Sequence, residues 1–240
     1  MAIALMGAAP AAAQSFNVPD GCTGFLTTQN RSCTVTHYFT CEGDAEGYRQ
    51  SYTYTQQGRS HHLTFDADFN WIKMNNLRWD HQFMPRNLKQ SLDSLEKLQT
   101  EGSYRFNDDF LHVAQGQTYE VVWSGENTLT GTSVTVDGED MLEVSHLSHF
   151  YDSNNAPYIK YEGVQLFWAK ENLYMGGRWI DQDTGEVGNN TPVDLIRPDE
   201  PGFDVATPAY DCDTLISSAD LPISTVHGLW IRAAFSKGVE

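Results

Sequence analysis

The chain predicts an all-β fold with one helix, built as an antiparallel, strongly curved sheet that forms an open barrel or half-barrel. Three observations carry this. Short runs of β-branched and aromatic residues recur along most of the chain, which suits strands with one half-buried face. Turn signals separate them, the clearest being Val136-Asp137-Gly138-Glu139, an Asp-Gly pair between alternating runs. Only one segment carries an apolar stripe at helical period, so the strand–helix alternation of a parallel sheet is missing.

Taken in order, residues 1–13 are an alanine-rich leader ending in Ala11-Ala12-Ala13 before Gln14. That is the small-residue pattern of a signal-peptidase site, although the leader lacks an early Lys or Arg and its apolar run is short. Residues 14–187 are expected to form the β domain. Cys33-Thr-Val-Thr-His-Tyr-Phe-Thr-Cys41 reads as a strand, as does Tyr48 to Thr55. Residues 60–74 follow as an extended stretch broken near Asp66-Ala67-Asp68, with Phe69 to Met74 a strand of its own. Then Leu88, Leu92, Leu95 and Leu98 fall on one face of a helix over 85–100, with Pro85 suited to its start and Gly102 to its exit. That face is expected to pack on the sheet and to cover part of its concavity.

Further strands are predicted at 103–106, 110–114, 118–124, 128–136, 140–151, 158–161, 164–169 and 173–180, with a turn at Asp183-Thr184-Gly185-Glu186. Residues 188–240 are expected to wrap the same domain, because Pro192, Pro198, Pro201 and Pro208 argue against regular strands there. Residues 226–235 would add a last apolar element. About ten to twelve short strands in sequence order, with one face buried and one wet, give a lipocalin-like architecture.

Charge narrows the function classes. The net charge is −17, from 15 Lys and Arg against 32 Asp and Glu. Such a field repels phosphate backbones and anionic lipid, so nucleic acid is excluded as a partner. No run approaches the roughly 18 apolar residues of a membrane span. Cys22, Cys33, Cys41 and Cys212 all lie beyond the leader, and an even cysteine count after an export signal reads as disulfides in an oxidising compartment, periplasmic or extracellular. Four cysteines allow three connectivities. The expected pairing is Cys22–Cys33, closing a short loop, with Cys41–Cys212 anchoring the proline-rich wrap.

No motif names a reaction. The histidines are His37, His61, His62, His81, His112, His146, His149 and His227. The closest set, Ser145-His146-Leu147-Ser148-His149, lies in a predicted strand, where residues three apart point to opposite faces. With no zinc-type spacing, no metal is expected. Asp181-Gln-Asp183-Thr-Gly185-Glu186 resembles the start of a calcium loop but lacks the later bidentate Glu, and reads as a hairpin turn. Nucleophile elbows and phosphate loops are absent, so no catalytic residue and no cofactor is assigned. The aromatics are plentiful: Trp71, Trp79, Trp123, Trp168, Trp179 and Trp230, with 11 Tyr and 12 Phe. Trp71, Trp123, Trp168 and Tyr174 are the candidate ligand-binding residues, expected to line a pocket in the concavity.

Cys22-Thr-Gly-Phe-Leu-Thr-Thr-Gln-Asn-Arg-Ser-Cys33 with Cys41, Val134-Thr-Val-Asp-Gly138, and Thr191-Pro-Val-Asp-Leu-Ile-Arg-Pro-Asp-Glu-Pro-Gly-Phe203 resemble a family of exported proteins from marine and related alphaproteobacteria. The resemblance covers most of residues 20–212. It implies export and shared cysteines, and it carries no assigned activity. The sequence therefore favours an exported β-domain that holds a small apolar or amphipathic ligand in a curved sheet. A carboxylate-dependent hydrolase and a structural or interaction protein of the cell envelope are the alternatives.

Overall fold

The first hairpin carries the cysteines and starts the meander. β1 (Cys22–Asn30) and β2 (Thr34–Cys41) pair antiparallel, with Cys22 opposite Cys41 and Asn30 opposite Thr34. After them come β3 (Arg49–Thr55), β4 (Gly58–Phe65), β5 (Trp71–Asn76) and β6 (His81–Asn87), then helix α1 (Ser94–Glu101). The chain continues through β7 (Ser103–Ala114), β8 (Gln117–Val136), β9 (Glu139–Asp152) and β10 (Pro157–Trp168). Four short strands finish it: β11 (Leu173–Met175), β12 (Arg178–Asp181), β13 (Val187–Asn189) and β14 (Pro192–Ile196). This computed structural model describes residues 15–78, 80–87, 94–152 and 157–212.

Each strand from β1 to β10 pairs antiparallel with the next, β10 then pairs with both β11 and β12, and β14 returns to lie against β1. The result is one 14-stranded sheet. It is not closed into a barrel. Its edge strands β13 and β14 follow each other in the chain, so a two-residue link, not a ladder, joins the seam among the described residues. The curvature shows in the side chains. Trp71 on β5 and Trp123 on β8 stack with centroids 4.6 Å apart and planes 4° apart. In a flat sheet three strand spacings would separate them by about 14 Å; only a sheet that curls toward them brings the rings into contact.

Two predicted turns are in place. Asp137 and Gly138 have φ of 47° and 80°, and the flanking Val136 pairs with Glu139, which is the two-residue hairpin with both central residues left-handed. Asp137 also accepts the Leu195 N–H through Oδ2 at 2.9 Å, tying the turn to β14. A Cβ on Gly138 would meet nothing within 4 Å, so the cost of a side chain there is backbone strain alone. Gly138→Val is expected to cost more than about 1 kcal/mol, read as a lower denaturant midpoint. An unchanged midpoint would count against the register of β8 and β9. The turn after β12 is held by Asp181 Oδ1, which accepts the N–H groups of Asp183 (2.8 Å) and Thr184 (3.0 Å), with Ile180 paired to Val187. The calcium-like spacing is a hairpin turn.

Several expectations need correction. The disulfides are Cys22–Cys41 and Cys33–Cys212, not Cys22–Cys33 and Cys41–Cys212. Residues 22–30 form a strand that is not among those predicted. This puts Cys22 and Cys33 at opposite ends of the β1–β2 hairpin, roughly 25 Å apart at the strand rise, whereas a disulfide needs Cα atoms within about 7 Å. Cys22 instead faces Cys41 across the ladder, with Cα atoms 4.0 Å apart. The proline-rich wrap is anchored as expected, but to Cys33 at the hairpin tip.

The helix is shorter than predicted. Pro85 is in β6, opposite Phe110, beyond the last residue of β6 that pairs with β5; there a missing N–H costs no ladder bond. Leu88 and Leu92 lie outside the described residues. Leu95 and Leu98 are buried against Val144, Phe167 and Tyr174, with Phe69, Tyr104 and Leu129 packed alongside, so the predicted apolar face does meet the sheet.

Proline did not exclude strands after 188: β14 opens on Pro192 and is an edge strand paired to β1 alone. The breaks predicted in 103–114 and 117–136 are absent, because β7 and β8 pair continuously from Ser103↔Thr128 to Ala114↔Gln117. Gly125, in the gap between the predicted strands 118–124 and 128–136, sits inside β8. A Cβ there would fall 2.0 Å from Leu147 O and 2.5 Å from Phe106 Cζ, so the glycine permits a close approach instead of ending the strand. The leader at 1–13, the element at 226–235, Trp79, Trp230 and His227 lie outside the described residues. Among the described residues no helix is long and apolar enough to cross a membrane.

Candidate functional site

Antiparallel register arranges the concave face as cross-strand rows. One row runs Asp108–Trp123–Phe150 across β7, β8 and β9. The next runs Phe106–Gly125–Ser148–Tyr161–Asp181 from β7 to β12. A third runs Tyr104–Asn127–His146–Gly163–Trp179 over the same strands. From these rows Trp123, Ser148, Tyr161 and the whole third row form one wall of a cavity of about 250 Å³. β2, β3, β4 and β5 supply the opposite wall with Thr36, Thr53, His61, Phe65 and Trp71. Tyr174 of β11, together with Phe69, closes it on the side where α1 packs.

Three of the four candidate residues come together here. Trp71, Trp123 and Tyr174 line the cavity. Trp123 is boxed by Trp71, by Phe106 at 4.4 Å and by Phe150 at 5.7 Å. Phe65 stacks on Phe69 at 4.2 Å, and Phe69 reaches Tyr174 at 5.9 Å. Trp168 is the exception. It is fully buried in a second cluster with Leu26, Met141 and Leu173, and the Arg197 guanidinium lies 4.7 Å over its ring. Its position one past Phe167 explains this: alternation along β10 turns it to the other face of the sheet.

The lining is amphipathic. Against the aromatic rings stand Asn30, Thr34, Ser51, Asn127, Ser148 and Asn190. The indole nitrogens of Trp123 and Trp179 are buried with no acceptor among the described residues, and both residues line the cavity. Buried N–H groups left in this way carry an uncompensated desolvation cost. Arg178 brings positive charge to the rim, and among the described residues no carboxylate lines the cavity. The cleft with two convergent carboxylates that a glycoside-type hydrolase needs is therefore not the geometry of this cavity.

Polar side chains link into a chain along the third row. His146 Nδ1 lies 2.6 Å from Asn127 Oδ1, and its Nε2 lies 3.0 Å from Ser148 Oγ. Asn127 Nδ2 donates to the Tyr104 hydroxyl at 2.6 Å. Asn127 and His146 face each other because β8 and β9 pair them directly; His146 and Ser148 share a face because they are two apart on one strand. Burial lowers the His146 pKa to about 4, so the ring is neutral at pH 7. Burial likewise raises Tyr104, and raises Tyr174 further with the Tyr104 hydroxyl beside it. Both phenols stay protonated.

Other histidines sit elsewhere. His149 is on the opposite face from His146, with Nδ1 3.0 Å from the Tyr151 hydroxyl, as the spacing of three predicted. His81 and His112 pair at 2.9 Å near one end of β6 and β7, with His112 stacked on Phe83 at 4.2 Å. Burial, and then the neighbouring His81, lowers His112 to about 4. Among the described residues no group of three His, Cys, Asp or Glu converges on a point where a metal could sit.

Sequence reasoning missed Asn127, His146, Ser148 and Trp179 as site residues. A signal was present in the His-x-Ser spacing at 146–148, which puts both groups on one face of a strand. The partner Asn127 lies on another strand and could be found only through the register. No family model matches the chain, and neither a curated protein nor a solved structure matches it.

Proposed function

We propose that the protein is an exported β-domain that holds a small amphipathic ligand in the concavity of its sheet, in the periplasm or outside the cell. The cavity lining carries this reading: Phe65, Phe69 and Trp71 give it an apolar side, while Asn30, Thr34, Thr36 and Asn190 give it hydrogen-bonding groups. A ligand that presents both an apolar surface and a polar group matches the two together. At about 30 Å³ per water, the space equals roughly eight waters, which suits a molecule of small-ring size. The two disulfides support an oxidising compartment.

The test is a titration of tryptophan fluorescence with cyclohexanol and indole, together with mass spectrometry of whatever the natively purified protein releases on unfolding. A saturable shift is expected, because Trp71, Trp123 and Trp179 all face the cavity. Thr53→Phe, which fills space from the β3 side, should weaken binding at least tenfold. No release of any small molecule and no saturable shift with either probe would overturn the reading.

A further inference from the structure

We propose that Ser148, His146 and Asn127 form a nucleophilic site in this cavity, and that the protein cleaves small carboxylic esters through an acyl-serine intermediate. The three residues line the same cavity. Ser148 and Asn127 are 2% and 4% exposed, so the hydroxyl is shielded from bulk water while facing the cavity. The protons are ordered by the hydrogen bonds themselves. Asn127 uses its Nδ2 to donate to Tyr104, so its Oδ1 faces His146 Nδ1 and can only accept. That fixes the imidazole proton on Nδ1 and leaves Nε2 with a free lone pair. The Ser148 hydroxyl, 3.0 Å away, donates to it. A nucleophile, a base and a group that orients the base are thus in the order that hydroxyl activation requires. A lone buried histidine would need only one such partner.

The surroundings fit the same chemistry. Tyr161 lies beside Ser148 in its row and Gly163 beside His146 in the next, and both line the cavity with them.

In the first step Ser148 Oγ bonds to the ester carbonyl carbon as its proton passes to His146 Nε2. The tetrahedral centre then collapses, the bond from carbon to the alkoxy oxygen breaks, and Nε2 returns the proton to that oxygen to release the alcohol. Water, deprotonated by the same Nε2, hydrolyses the acyl-serine to the acid and the free hydroxyl. No oxidant, metal or co-reactant is consumed. Asn127 does not touch substrate; it is a positioning residue that acts through His146.

The intact protein is treated with phenylmethanesulfonyl fluoride and, separately, with 4-nitrophenyl acetate. One sulfonyl adduct is expected, mapped to Ser148 by peptide mass spectrometry, along with a 4-nitrophenolate burst of one equivalent. The labelling rate of the folded protein should be flat from about pH 6 to pH 9, because His146 is already neutral there. His146→Gln should slow labelling at least a hundredfold. Asn127→Leu should slow it too, and Asn127→Asp should restore it by keeping an acceptor at Nδ1. The idea is overturned if the folded protein gives no adduct at Ser148. It is equally overturned if labelling of Ser148 climbs tenfold per unit through pH 9, as an unactivated hydroxyl would, or ignores His146→Gln. Ester cleavage goes beyond ligand binding: cyclohexanol binding that persists in a protein inert to both reagents would remove the activity and leave the binding reading standing.

Discussion

Lowering the pH from 7 to 5 is expected to remove about 6 kcal/mol of stability, a large share of the roughly 5–15 kcal/mol typical of a folded domain. The effect comes from His37, His112 and His146, each held near a pKa of about 4, with burial the leading cause in all three. His37 is packed face to face on Phe16 at 4.1 Å, and a backbone hydrogen bond at Phe203 offsets part of its burial. The ordinary histidine pKa of about 6.5 applies in the unfolded chain. Between 6.5 and 4 the unfolded chain therefore binds protons that the native protein refuses. Stability is complete above about pH 6.5 and is lost as the pH falls toward 4, at about 2 kcal/mol per histidine by pH 5. Denaturant midpoints at pH 7, 6 and 5 check this, and His37→Gln should remove about a third of the slope. A midpoint that is level down to pH 5 would mean that these rings are reached by water in the native state.

Replacing Cys33 and Cys212 with alanine is expected to cost about 2–5 kcal/mol and to release the wrap first. The bond spans 179 residues, for which chain-closure entropy alone gives about 5 kcal/mol; Cys22–Cys41 spans 19, for which the same argument gives about 3 kcal/mol. Beyond β14, which pairs with β1, residues 197–212 are tied to the hairpin by the exposed Arg31–Asp211 ion pair and by a few hydrogen bonds. Gln29 donates to Thr207 O at 3.2 Å and accepts the Ala209 N–H at 3.0 Å, Thr27 donates to Phe203 O at 2.6 Å, and Cys33 N–H bonds Tyr210 O at 3.0 Å. Limited proteolysis of the double variant should cut first between 197 and 212, before the sheet melts. Non-reducing peptide maps of the wild-type protein must show the 22–41 and 33–212 linkages. If the Cys33/Cys212 variant is as stable as the parent, or less affected than the Cys22/Cys41 variant, the wrap is held by packing alone.

Much of the fold was legible because strands announce themselves locally. The β2 run Thr34–Cys41, the Asp137-Gly138 turn and the leucines of α1 each carry their structure in residue type and spacing. What misled was also local. Gly125 and Asn127 are poor strand formers, yet both sit within β8 because ladders on β7 and β9 hold them. Pro192 opens a strand because it lies at an edge. Half the candidate site was equally readable: aromatic richness pointed to Trp71, Trp123 and Tyr174, while Trp168 failed because it points to the other face of β10.

The sequence by itself determined the strand-rich character, the position of the helix's apolar face and the two turns, since each depends on neighbours within a few residues. Tertiary structure alone decided which cysteines meet, how far the sheet curls, and which side chains share its concavity. Those outcomes depend on register between strands far apart in the chain. Asn127 and His146 are 19 residues apart, and Trp71 and Trp123 sit three strands apart across the curl. A shift of one residue in any intervening ladder would turn their side chains to the other face, so the site exists only where all the ladders agree.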